Sequence, residues 1–225
     1  SSPVSISRDE SDVRGGLGAM VHRRLSIIDV SEQGRQPMST PDGRHHLVYN
    51  GEVYNFVELR ERLEQSGVRF RGHSDSEVLL HAWHRDGPAA LPSLLGMFAF
   101  AMLDATEQRL HLVRDPFGIK PLYWTADALL GDPGPGHGPA FAFASEIPAL
   151  LAIPGVCRAA DPQRSYDYLR FGRTDAEERT MFAAVRQLLP GHRMTVDLRD
   201  FAIEIEPWWT LEPSPCRPTS FAEAA

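Results

Sequence analysis

An asparagine followed directly by a glycine, in the stretch "HHLVYNGEVYNFVEL" from His45 to Leu59, brings a side-chain amide and a bare backbone N–H to one place. Both residues tolerate positive φ, so a hairpin turn is one meaning of Asn50-Gly51. The other is an oxyanion hole, in which the Asn50 amide and the Gly51 N–H aim at one oxygen and the missing Cβ admits a substrate close to the backbone. Arg23-Arg24 fits the same chemistry. In a strand the two side chains face opposite ways, and an Arg fork among apolar residues suits a bidentate grip on a carboxylate. The other Arg of the pair reads as a solvated edge residue. Asp75 opens a helix, where the dipole favours an acid, and its second use is to anchor an ammonium. An Arg for an α-carboxylate, an Asp for an α-amino group and an Asn/Gly oxyanion pair describe a site for an amino acid whose side-chain amide is attacked.

The elements that must position these residues are legible in outline. "LGAMVHRRLSIIDV", from Leu17 to Val30, reads as strand material, and "HHLVYN" as another strand. Asn55 with Glu58 marks a helix start, with Phe56, Leu59 and Leu63 on one face and Gly67 at the end. Ser74 with Glu77 repeats the signature before a helix that stops at Gly87. "GMFAFAML", Gly96 to Leu103, alternates large and small residues and predicts a strand with two unlike buried faces. "RLHLVR", "PLYWT" and "AFAFAS" predict more strands, Asp161-Pro162 a helix running to Gly172, and Arg199-Asp200 a hairpin turn. The Gly/Pro-rich "GDPGPGHGP" predicts a loop. Strands beside helices without regular alternation argue for α+β with largely antiparallel sheets.

At 225 residues and 42% hydrophobic content the chain can bury a substantial core as one large domain. Its 23 basic and 30 acidic residues give a net charge of −7 with no basic cluster, which argues against a nucleic-acid surface. Cys157 and Cys216 lie in neither a disulfide framework nor a zinc spacing, so no metal is expected and a reducing, cytoplasmic setting fits. The histidine pairs His45-His46 and His81/His84 show no converging carboxylates and read as exposed or partly packed. No apolar run approaches the ~18 residues of a membrane helix.

The blocks "HRRLSIIDVSEQGRQPM", "YNGEVYNFVELRERLEQSG", "HSDSEVLLHAW", "LLGMFAFAMLD", "RDPFGIKPLYW", "FASEIPALL" and "LLPGHRM" stand in an informative order. In that order and spacing the chain resembles the glutaminase domain of glutamine-hydrolysing asparagine synthetases, class II glutamine amidotransferases of the N-terminal-nucleophile hydrolase group. The resemblance implies a four-layer αββα sandwich, two antiparallel sheets between helices. It places a glutaminase domain over residues 1–209, and a Pro-rich linker over 210–225 leading to a synthetase domain beyond this chain. It implies that Arg24 binds the glutamine carboxylate, that backbone near Ile27 and Ile28 lines the pocket, and that Glu52 is a glutamine contact. By the same likeness Asn50 and Gly51 form the oxyanion hole and Asp75 binds the amine. "RDPFGIKPLYW" and "FASE" are expected to be architectural. No cofactor is expected in this domain; ATP and Mg belong to the synthetase half. The expected partners are glutamine and that synthetase domain, with a homodimer possible in principle and neither nucleic acid nor membrane involved.

At the front the chain departs from the family, whose members begin with a Cys that attacks the amide while its own α-amine serves as base. Here Ser1-Ser2 stands first, and Val13-Arg14-Gly15-Gly16 does not replace the family's "RGPD"-like turn. The expectation is a chain cut short of its first strand and nucleophile, inactive toward glutamine as given. Two alternatives are a natural pseudo-glutaminase scaffold, as in β-lactam synthetases and lasso-peptide cyclases, and Ser1 as nucleophile.

Overall fold

Large and small side chains alternate along one strand and sort into two different cores. The computed structural model describes residues 19–22, 35–126, 141–174 and 177–212. In β3 (Gly96–Asp104), Phe98, Phe100 and Met102 face a cluster shared with helices, while Ala99, Ala101 and Leu103 face a second cluster shared with another sheet. The predicted pair of unlike faces is therefore observed.

β3 lies at the centre of an antiparallel sheet. Its neighbours are β2 (His45–Val53) on one side and β4 (Arg109–Arg114) on the other. β1 (Met38–Ser39) flanks β2, and the hairpin of β8 (His192–Asp197) and β9 (Ile203–Pro207) continues beyond β4. A second antiparallel sheet has β5 (Tyr123–Ala126) between β6 (Phe141–Ala144) and β7 (Arg186–Gln187). The Ala faces of β3 let the second sheet approach, and Leu122 and Trp124 fill the space between.

Helices α1 (Phe56–Gln65) and α2 (Asp75–Asp86) cover the opposite face of the large sheet. α2 buries Val78, Leu79, Leu80 and Trp83. Each such side chain contributes about 1.5–3 kcal/mol, so packing rather than intrinsic propensity holds this helix. α3 (Ile147–Leu151) rests on β5 and β6, completing the helix, sheet, sheet, helix order of the expected αββα sandwich. α4 (Pro162–Phe171) starts with Asp161 accepting the Arg164 N–H at 3.0 Å and ends at Gly172, φ +67°, as its termini predict.

Two helix starts differ from their sequence signatures. Asn55 makes no side-chain cap; its amide instead clamps the Ser93 carbonyl at 2.9 Å and the Leu95 N–H at 3.0 Å, tying the start of α1 to the segment before β3. Ser74 does cap the Glu77 N–H, but the buried Glu77 carboxylate accepts from the Arg71 and Gly72 N–H groups, each at 2.8 Å, instead of from Ser74. α2 stops at Gly87, as expected, and a 3₁₀ helix (Gly87–Ser93) follows that periodicity did not reveal. The strand predicted over Leu17 to Val30 falls mostly outside the described residues, as do the 131–139 loop and residues 213–225.

The architectural expectation for "RDPFGIK" takes a definite form. Asp115 is fully buried, and its carboxylate accepts four backbone N–H groups, from Phe98, Phe117, Ile119 and Lys120, at 3.0–3.2 Å. The neighbouring Arg114 donates to the carbonyls of Lys120, Gly118 and Leu188 and to Gln187 Oε1. One side chain satisfies the loop's donors and the other its acceptors.

Candidate active site

Asn50 and Gly51 lie inside β2, not in a turn. They pair with Ala99 and Phe98 across an uninterrupted register, so the hairpin meaning of the dipeptide is corrected: the chain does not reverse there. Nor does the missing Cβ of Gly51 primarily make room for a ligand. A Cβ built there would stand 2.2 Å from the Met97 carbonyl oxygen and 2.6 Å from Phe98 Cα, and φ is +154°. Glycine is required because β3 passes so close.

The direction of the Gly51 N–H follows from the ladder. Phe98 donates its N–H to Asp115 Oδ2 and accepts the Asp115 N–H at 2.7 Å, so both its backbone groups point away from β2. Gly51, opposite Phe98, is thus in a non-hydrogen-bonded pair, and its own N–H points to the outer edge of β2. The residues two positions away agree. On that edge the Tyr49 N–H donates to Gln36 Oε1 at 2.6 Å and the Val53 N–H to Asp75 Oδ2 at 3.1 Å. Among the described residues β1 pairs only with His46 and Leu47, so no strand lies beside Gly51.

Asp75 is brought to this edge by the capped start of α2. It is 4% exposed; Oδ2 also accepts the Tyr49 hydroxyl at 2.7 Å, and Oδ1 accepts the Ser76 N–H at 2.9 Å. Burial, then the facing Asp75 charge, pushes the Tyr49 pKa upward, so the phenol remains a donor. Alternation puts Asn50 and Glu52 on the face of Val48, toward the second sheet, both half-buried. Among the described residues the Asn50 amide has no hydrogen-bond partner. Arg24, Ile27 and Ile28 lie outside the described residues. The structure therefore gathers Gly51 and Asp75 on one strand edge, with Asn50 and Glu52 on the adjoining face.

The family model for a glutamine amidotransferase domain matches residues 12–209. The chain belongs to this family. The amidotransferase chain is 39% identical over 174 residues to asparagine synthetase [glutamine-hydrolyzing] 1 of Bacillus subtilis, covering 77% of this chain and 26% of that protein. It is 33% identical over 207 residues to the B. subtilis enzyme numbered 3, covering 91% and 32%, and 36% identical over 199 residues to amidase chyE of Penicillium rubens, covering 88% and 26%. It spans about a quarter to a third of these relatives. Among solved structures, the glutamine phosphoribosylpyrophosphate amidotransferase of B. subtilis shares its fold, with a TM-score of 0.56 at 21% identity over 84% of this chain and 34% of that one.

Two residues of the site escaped the sequence reading, Gln36 and Tyr49. A signal for Tyr49 was present: alternation puts it on the buried face opposite Asn50, and a buried tyrosine hydroxyl needs a partner.

The histidines need a correction. His45 and His46 are buried, His45 Nδ1 is 2.9 Å from His84 Nδ1, and His45 Nε2 is 3.2 Å from Asp104 Oδ2. The carboxylate comes from β3, through pairing that helix spacing could not reveal. Among the described residues no group of three His, Cys, Asp or Glu side chains is arranged to hold a metal ion. Burial lowers the pKa of His45, His46 and His81. His111, set against Trp83 and within 3.1 Å of Thr195 Oγ1, is lowered to about 4 by burial first and the Arg193 charge second.

For His111 the unfolded chain binds the proton more tightly, so its contribution to stability is complete above pH 6.5 and is lost as pH falls toward about 4. His111→Gln should shrink the fall in urea midpoint between pH 7 and pH 4.5. An equal fall in both proteins would show that this ring is not the titrating group.

Proposed function

We propose that this chain is the glutamine-binding, glutaminase part of a glutamine-hydrolysing asparagine synthetase. The observation that carries it is the edge of β2, where the Gly51 N–H points outward and Asp75 closes the position two residues further on. Two residues of strand span roughly 7 Å. An extended glutamine has roughly 6 Å between its amide oxygen and its ammonium nitrogen, so it can lie along this edge with the oxygen at Gly51 and the ammonium at Asp75.

In this reading Arg24 holds the α-carboxylate, with backbone near Ile27 and Ile28 beside it, and Glu52 contacts the bound glutamine. As a thiolate at the N-terminus of the whole protein attacks the amide carbon, negative charge grows on the carbonyl oxygen. The Gly51 N–H and the Asn50 amide, which has no partner among the described residues, receive that charge without having to break other bonds first, which is what makes pre-aimed donors effective. Ammonia then passes to a C-terminal synthetase domain, which uses ATP and Mg to amidate aspartate, and thioester hydrolysis releases glutamate. The relatives named as glutamine-hydrolysing support this reading over a non-catalytic scaffold.

Calorimetry tests the pocket directly. Glutamine should give weak, saturable binding to the 225-residue chain, and Asp75→Asn should weaken it about tenfold, to the level of a ligand without the ammonium, while the variant stays folded. A flat titration with folded wild-type protein would overturn the reading.

A further inference from the structure

Asp75 can present its charge to a ligand in one direction only if its other acceptor positions are filled. A carboxylate has about four acceptor positions. In Asp75 three are filled: two on Oδ2, by the Tyr49 hydroxyl and the Val53 N–H, and one on Oδ1, by the Ser76 N–H. Among the described residues one position remains, on Oδ1. We propose that Tyr49 is the positioning residue for Asp75: its hydroxyl completes the occupation of Oδ2 and so commits the last acceptor position, on Oδ1, to the substrate ammonium.

The proposal rests on the reading of Asp75 as the ammonium ligand and goes beyond it in assigning the selection to a neighbour that touches no substrate. Of the three donors, Tyr49 alone is a side chain, and at 4% exposure it is locked among Leu47, Val53 and the helices. The Val53 and Ser76 donors belong to β2 and α2, which together fix where the carboxylate sits. They do not fix which oxygen is left open. With the hydroxyl gone, Oδ2 regains an acceptor position facing the core, a water or the ammonium can compete for it, and the carboxylate is free to rotate away from the strand edge. Tyr49 is also tied to that edge directly, because its N–H is held by Gln36 Oε1 beside the outward-pointing Gly51 N–H. The same residue therefore spaces the two ends of the ligand.

A simple brace between α2 and β2 would use the same bonds, and the choice of ligand separates the two roles. A brace matters equally for every ligand; a positioning residue matters only for one that carries the ammonium. The experiment measures binding of glutamine and of 4-carbamoylbutanoate, which is glutamine without its α-amino group, to the 225-residue chain and to its Tyr49→Phe variant, with thermal unfolding as the folding control. Tyr49→Phe should weaken glutamine about tenfold and leave 4-carbamoylbutanoate within twofold of wild type. Equal losses for both ligands, or no loss for either, would overturn the proposal.

An Asp75→Asn arm separates this proposal from the reading beneath it. If Asp75→Asn abolishes the preference for glutamine and Tyr49→Phe leaves it intact, only the role of Tyr49 falls. Wild-type protein with no preference for glutamine over its des-amino form removes both. Should Tyr49→Phe fail to fold, ¹⁹F spectra of wild-type protein carrying 3-fluorotyrosine supply the readout. The residue 49 signal should shift on adding glutamine and stay in place with 4-carbamoylbutanoate; shifts of equal size would overturn the proposal.

Discussion

Replacing Asp115 with alanine should unfold the domain or come close to it. The change removes the acceptor of four backbone N–H groups at once, those of buried Phe98, half-buried Lys120 and the two exposed loop residues Phe117 and Ile119. An unsatisfied buried donor costs about 1–3 kcal/mol, so even with partial relaxation and water entry the loss should be about 4 kcal/mol or more. Domains of this kind are stable by only about 5–15 kcal/mol. Loss of the Asp115 hub also loosens the C-terminal strands, because its carbonyl accepts the Gly191 N–H, whose own carbonyl holds the Trp208 and Trp209 N–H groups.

Asp115→Asn is the sharper probe of the cause. It keeps the shape but turns an NH₂ toward two of the four donors, so a large part of the alanine effect should persist. Urea unfolding of the two variants checks this; an Asn variant as stable as wild type would show that the four acceptor bonds are not what holds the loop.

Gly51→Ala should damage the fold and the site together. The added carbon would meet the backbone of Met97 and Phe98 at 2.2 and 2.6 Å, and no rotamer change can relieve a clash with backbone. Gly96 faces the same crowding from the other strand, since a Cβ there would lie 2.1 Å from the Glu52 carbonyl oxygen. β2 and β3 would have to splay where the outer-edge N–H is aimed. A cost of about 3 kcal/mol or more is expected, in the range of steric overpacking combined with a backbone conformation that L-residues avoid.

Asn50→Ala is the informative contrast. Its amide has no partner among the described residues and is half-buried, so stability should change by less than about 1 kcal/mol. In the whole enzyme the same change should lower glutamine hydrolysis by roughly 10²–10³-fold, the usual loss for one oxyanion donor. Unfolding and turnover measured on both variants decide the matter. A stable Gly51→Ala protein, or an Asn50→Ala enzyme of normal turnover, would contradict the geometry.

Asn50 and Gly51 mark how far reading from the chain reaches. An oxyanion role for Asn50 and Gly51 could be expected from the chain, because an amide and a bare backbone need only be adjacent. That Gly51 sits in a strand was not, since Asn-Gly carries the same local preference for a turn and the register that overrides it comes from β3. Asp75 was legible as a helix-start acid but not as a group already holding Tyr49, 26 residues away. His45 read as exposed or partly packed for the same reason: the residues that face it, Asp104 and His84, arrive from other elements.

The amino-acid order alone determined what depends on neighbours within a few residues. The alternation in β3 chose its two faces, Ser74 and Asp161 started their helices, Gly87 and Gly172 ended theirs, and each works through contacts within about one turn or one pleat. Only the tertiary structure decided which edge of β2 the Gly51 N–H faces, which donors each oxygen of Asp75 accepts from, and that Asp115 supports the strand opposite the site. These depend on strand register and helix placement, which are set by the packing of the whole core.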